Sequence, residues 1–306
     1  AISLSIAKAS ADQQDQAFYQ YVANLANNKE TLKVPTPMVN VINGGKHASG
    51  ASDFQEYMIV PKGISSYTDQ IRACSEIFHA LKQEIANLGL QTTVGDEGGF
   101  APILRGGNKQ VFDLLLSAID RSKYRSNNDI FLALDIASSE FYVDGKYKLS
   151  SEDRILTADE LSSYYKQLLV EYPIFSIEDP FSENDFDAWE KFTANFGDKL
   201  QIVGDDLLVT NPRFIGDAVS ANRANSLLVK PNQIGTLTET IEAVNLAKKA
   251  GWTTVMSHRS GETEDTSIAH IAVGLGTDYI KSGSMSRSER LAKYNELLRI
   301  NETLSK

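Results

Sequence analysis

The chain has 306 residues, 42% of them hydrophobic and 23% charged, enough to bury a large core and too apolar for a disordered chain. Thirty Lys plus Arg against forty Asp plus Glu leave a formal charge of −10, so no long-range positive field gathers nucleic acid or anionic lipid. A single cysteine, Cys74, excludes a disulfide framework and a Cys-rich metal site, and no apolar run reaches the ~20 residues that span a bilayer, so the expectation is a soluble, cytoplasmic protein.

The first segment reads as a helix over roughly 2–27 that is already under way at Ala1 with no cap before it, the pattern of a chain that starts inside an element; AISLSIAKAS does not read as a signal peptide. Met38–Ile42 and Glu56–Val60 read as strands. Only a glycine-rich loop separates them, too short for a helical crossover, so they are expected to pair antiparallel. A helix follows over Gln70–Ile85, with Cys74 a small core residue and His79 structural, then the loop Gly95–Pro102 and a polar loop at Ser122–Asp129.

From about residue 130 short apolar runs alternate with helical periodicity. The runs are Phe131–Asp135, Phe175–Asp179, Gln201–Asp206, Ser226–Lys230, Thr253–His258 and Asp278–Lys281. Thr157 with Glu160 and Thr236 with Glu239 have the spacing of a capping box and mark helix starts; Lys248, Lys249 and Gly251 close the second helix. Strands apolar on both faces and alternating with helices imply a parallel sheet covered by helices. At this length the expected fold is α/β, a (β/α)₈ barrel of the TIM type with an irregular antiparallel start.

Each legible strand ends in a polar residue its apolar run did not require: Asp135, Glu178, Asp205, Lys230, His258 and Lys281. In a barrel these ends converge on one mouth. Three carboxylates there repel one another unless neutralised, and an all-oxygen set suits a hard cation, so Asp135, Glu178 and Asp205 are the candidate ligands of Mg²⁺. The bland alternative is that they cap helices after strands. Lys230 and Lys281 are costly to bury unless paired or used, and a lysine beside a metal ion and a second lysine is expected to have a pKa lowered toward that of a general base; a salt bridge to the acids is the alternative, and both roles can hold. Two glycine-rich loops, Asn43–His47 leading to Gln55 and Glu56, and Gly95–Pro102 with Glu97, let backbone approach a ligand, and Glu97 there is a candidate proton donor. Arg259 and Ser260, read as standing just ahead of a helix, form a candidate phosphate site. His270, inside a helical stretch, reads as structural.

With these residues in view the sequence resembles the enolase family over essentially its whole length. Gly44–His47, Gln55-Glu56, Val94–Gly99, Ser176–Phe181, Asp205-Asp206, Lys230–Gly235, Ser257–Asp265 and Arg287–Asn295 occur in the family's order. The resemblance implies Mg²⁺-dependent dehydration of 2-phosphoglycerate to phosphoenolpyruvate. It makes Lys230 the base at C2 and Glu97, aided by Glu56, the donor to the departing C3 hydroxyl. Asp135, Glu178 and Asp205 then hold Mg²⁺, and Lys281 adds positive charge at the substrate carboxylate. Arg259 and Ser260 match the phosphate contacts, while His47, Gln55 and His258 line the pocket.

It implies further that residues 1–30 are the remnant of a smaller α+β domain otherwise absent and that 31–306 are the catalytic barrel. That domain supplies a serine-bearing lid loop, part of a second Mg²⁺ site and part of a homodimer interface, so turnover of this chain is expected to be weak or absent. The competing readings are another lyase or racemase of the enolase superfamily, and a surface-displayed or secreted protein that binds plasminogen through Lys306.

Overall fold

The computed structural model describes residues 1–48 and 52–306. In place of the single helix expected over 2–27 there are two, α1 (Ile2–Gln13) and α2 (Phe18–Leu25). Asp15 takes a left-handed φ of 50°, the N–H of Gln16 closes back on Ala11 at 3.0 Å, and Ala17 is extended. These residues end one helix and redirect the chain into the next, which packs against the helix before the last barrel strand.

The elements that follow are β1 (Thr36–Asn43), β2 (Glu56–Val60), α3 (Tyr67–Asn87), α4 (Gly107–Arg121) and β3 (Phe131–Asp135). Next come a small meander, β4 (Tyr142–Val143), β5 (Lys146–Leu149) and β6 (Arg154–Leu156), then α5 (Ala158–Glu171), β7 (Ile174–Glu178) and α6 (Phe186–Phe196). The chain continues through β8 (Gln201–Gly204), α7 (Pro212–Ser220), β9 (Ser226–Val229), α8 (Pro231–Ile234) and α9 (Leu237–Lys249). It closes with β10 (Thr253–Ser257), α10 (Ser267–Leu275), β11 (Tyr279–Lys281) and α11 (Ser288–Leu304). Neither the meander nor α4 is among the expected elements, although α4 buries Val111, Leu115 and Ala118 at helical spacing; β4–β6 fill the long interval between Asp135 and Glu178.

Eight strands close into a barrel in the order β1-β11-β10-β9-β8-β7-β3-β2. β1 and β2 pair antiparallel as expected, and β2 is antiparallel to β3 as well, so β2 alone runs against the rest. This reversal matters for the site: Glu56, the first residue of β2, lies in register with Asp135, the last of β3. Two apolar layers hold the barrel. Helices and sheet enclose the larger one, while Met38, Met58, Val203, Leu228, Val255 and their neighbours fill the barrel interior.

Both expected helix starts are capped. Thr157 makes the full reciprocal capping box with Glu160 on α5. On α9 the Thr236 hydroxyl accepts from the Glu239 N–H at 3.1 Å and donates to the Glu239 carboxylate at 2.6 Å, which does not reach back to the backbone.

Candidate active site

The barrel rim collects the predicted residues because each stands at or one place beyond a strand end. Asp135, Glu178 and Lys281 are the last residues of β3, β7 and β11; Asp205, Lys230 and His258 follow β8, β9 and β10. Glu56 joins them from the reversed strand. Lys281 is the hub, its Nζ 2.8 and 2.9 Å from the two Glu178 oxygens, 3.2 Å from Asp135 Oδ2 and 3.3 Å from Glu56 Oε1. All four side chains are buried. Lys230 Nζ is hydrogen-bonded to Asp205 Oδ2, while Gln233 Nε2 donates to Asp205 Oδ1 at 3.1 Å and Thr210 Oγ1 accepts the Lys230 N–H at 2.9 Å.

Five carboxyl groups, of Glu56, Glu97, Asp135, Glu178 and Asp205, thus face two ammonium groups in a space mostly shut from water. The electrostatics follow. Burial, then the neighbouring acids Glu97 and Asp135, push Glu56 well above the usual carboxylate range against Lys281. Burial and Asp135 do the same to Glu178. Asp205 is lowered, because Lys230 overcomes the effect of burial. Both lysines are raised against their own burial, Lys281 by Glu178, Glu56 and Asp135, and Lys230 by Asp205. The lowering expected for Lys230 belongs to a lysine beside a bound cation; paired with Asp205 it is raised. A contacting carboxylate outweighs a second lysine.

Across the rim, Glu97 receives the Asn40 amide on Oε2 at 3.0 Å and the Ser260 hydroxyl on Oε1 at 3.4 Å, and His258 Nε2 stands 3.6 Å from Oε2. Gln55 is half-buried beside Glu56, its N–H donated to the Asp135 carbonyl at 3.0 Å. Arg259 is exposed and donates to Asn232 Oδ1 at 3.0 Å. The helix read as starting directly after Arg259 and Ser260 opens only at Ser267, so in sequence its N-terminus stands apart from both. His47 closes a short 3₁₀ turn, Gly45–His47, and its side chain lies outside what is described.

The family model described as "Enolase, C-terminal TIM barrel domain" matches residues 31–306. A curated relative named "Enolase", from Ehrlichia ruminantium (strain Welgevonden), is 50% identical over 306 residues, which is all of this chain and 71% of the relative. The chain belongs to the enolase family. It is accordingly an enzyme of the phosphopyruvate hydratase class, a lyase.

The barrel of this enolase-family chain also holds site residues that the sequence reading passed over. Asp179, next to Glu178, is buried, and its two oxygens accept the N–H groups of Asp205 and Asp206, each at 2.9 Å. Among the described residues, Asp179, Asp205 and Asp206 form a trio whose ligand atoms lie within 4.8 Å of one another; Asp135, Glu178 and Asp205 are spread more widely, with Lys281 between the first two. Asn40 was visible as a polar residue inside the apolar run Met38–Ile42. Arg290 stands in the motif Arg287–Asn295, which gave it no role of its own.

Proposed function

We propose that this site carries out the Mg²⁺-dependent dehydration of 2-phosphoglycerate to phosphoenolpyruvate. One observation carries the reading: β9 and β2 are four places apart in the closed ring of eight, so Lys230 stands opposite Glu56 and its neighbour Glu97. A base and an acid on opposing walls suit the removal of a proton from one carbon and of a hydroxyl from the next. Lys230 takes the C2 proton, the electron pair left behind moves onto the carboxylate as an enediolate and then forms the C2–C3 double bond. The C3–O bond breaks, and the hydroxyl leaves as water with a proton from Glu97, which Glu56 assists. Lys281 sets a fixed positive charge beside the carboxylate, where negative charge accumulates. Arg259 and Ser260 bind the phosphate, with His47, Gln55 and His258 lining the pocket.

The donor set fits a divalent cation. Glu178 is raised by burial and by Asp135, the mark of carboxylates crowded closer than their charge allows, and the set is all oxygen. Asp135, Glu178 and Asp205 would hold Mg²⁺. Asp179 spends both oxygens on backbone amides and Asp206 is exposed, so that tighter trio is the weaker candidate. When bound, the cation supplies Lewis-acid stabilisation of the doubly negative enediolate. As a ligand, Asp205 would cease to be the counter-ion that keeps Lys230 protonated. The catalytic unit is residues 31–306, and residues 1–30 are a segment packed on it.

The test is phosphoenolpyruvate absorbance after mixing protein, 2-phosphoglycerate and Mg²⁺. Lys230→Ala is expected to lower turnover by about 10²–10⁴-fold, the range of general-base catalysis; unchanged turnover would remove Lys230 from the role.

A further inference from the structure

Arg290, on α11, is 1% exposed, yet its guanidinium reaches both loops of the acid end of the site. Its Nη1 lies 2.6 Å from His258 Nδ1 and 2.6 Å from the Arg259 carbonyl; its Nη2 donates to the Asp96 carbonyl at 3.0 Å and the Ser260 carbonyl at 2.6 Å. Its Nε lies 3.6 Å from Glu289 Oε1. The stem needs Gly283: a Cβ there, where φ is +67°, would meet Arg290 Cδ at 2.7 Å and Cγ at 2.9 Å.

A guanidinium has donors and no acceptor. A ring nitrogen 2.6 Å from Nη1 must therefore offer its lone pair, which leaves His258 Nδ1 without a proton. A doubly protonated ring would set N–H against N–H. The neutral ring then carries its proton on Nε2, the nitrogen that faces Glu97 Oε2 at 3.6 Å. The groups around the ring agree: burial, then Arg290, Lys281 and Lys230, push the imidazole down to about 3, with Glu97 alone opposing.

We propose that Arg290 is a positioning residue: it locks His258 as the Nε2–H tautomer and ties the backbone beside Glu97 to the loop of His258, Arg259 and Ser260. Its bearing on turnover rests on the site reading above; its hold on His258 does not. Substrate contacts on the two loops, which come from residues 163 apart in sequence at Glu97 and Ser260, thus share one strut.

The experiment is ¹⁵N-histidine NMR of the protein, with the His258 ring assigned by its loss in His258→Gln. The wild type is expected to show a neutral, Nε2-protonated ring throughout the range in which an ordinary histidine titrates. In Arg290→Met, which keeps the apolar stem and removes every donor, that single-tautomer pattern is expected to be lost, and kcat to fall by about 10²-fold with KM changed less. A folded Arg290→Met protein whose His258 keeps the Nε2–H form would overturn the proposal. Because removing a buried arginine can unfold a protein, the wild type also decides: an Nδ1–H ring or an imidazolium overturns it without any variant. A changed tautomer with unchanged kcat would sustain Arg290's hold on His258 and count against His258 in the reaction.

Discussion

Asp179 shapes the rim by holding backbone. Its φ of 44° is left-handed and its two oxygens take the amides of Asp205 and Asp206, which fixes how the chain turns out of β8 and hence where the Asp205 carboxylate lies. In Asp179→Asn one of those amides would face an NH₂ donor. The expected cost is about 1–3 kcal/mol of stability by denaturant unfolding, the penalty of a buried donor left without an acceptor. Mg²⁺ affinity is expected to weaken by roughly 10-fold or more by calorimetry, as for lost support of a ligand; unaltered binding would mean that Asp205 is set by other contacts. Residues such as Lys230 and Asp205 were legible because they are polar residues that end apolar runs. The roles of Asp179 and Arg290 were not, although both stand in quoted motifs, since an acid after an acid and an arginine among charged residues look the same whether they face solvent or a buried carbonyl.

Elements were legible in proportion to how local their causes are. The caps at Thr157 and Thr236 are written in four residues, and both helices start there. Thr236→Ala is expected to cost about 1 kcal/mol in denaturant unfolding by stripping the N–H of Glu239 of its acceptor; a change near zero would show that water replaces the hydroxyl. The break between α1 and α2 was missed because the 2–27 stretch has no proline or glycine, and Asp15 adopts its left-handed conformation without either. The meander β4–β6 was missed for a different reason: its strands run two to four residues, too short to display a period.

On the scale of the whole molecule, closure of the barrel turns dispersed charges into one field. Strand ends far apart in sequence meet at a rim where carboxyl groups outnumber ammonium groups, and the barrel keeps that repulsion in place because its strands are held by two apolar layers. A cation bound to the folded form alone adds stability, about 2.7 kcal/mol at one hundred times its Kd. Thermal unfolding with Mg²⁺ in excess is therefore expected at higher temperature than with chelator, and Glu178→Gln is expected to abolish most of the difference. Equal unfolding temperatures in the wild type would count against a cation at these acids. No helix among the described residues is long and apolar enough to cross a membrane.

The sequence by itself determined the alternation of strand and helix, the antiparallel opening pair, the helix caps and the polar residues that end the strands, because each rests on interactions between near neighbours in the chain. It also held the motifs by which the family is known. Only the tertiary structure decided which charges face which. That Asp205 raises Lys230, that Lys281 bridges Glu56, Asp135 and Glu178, and that Arg290 holds the ring of His258 are consequences of ring closure and burial. Coulomb energies and hydrogen bonds depend on separation in space, and no spacing along the chain encodes that separation.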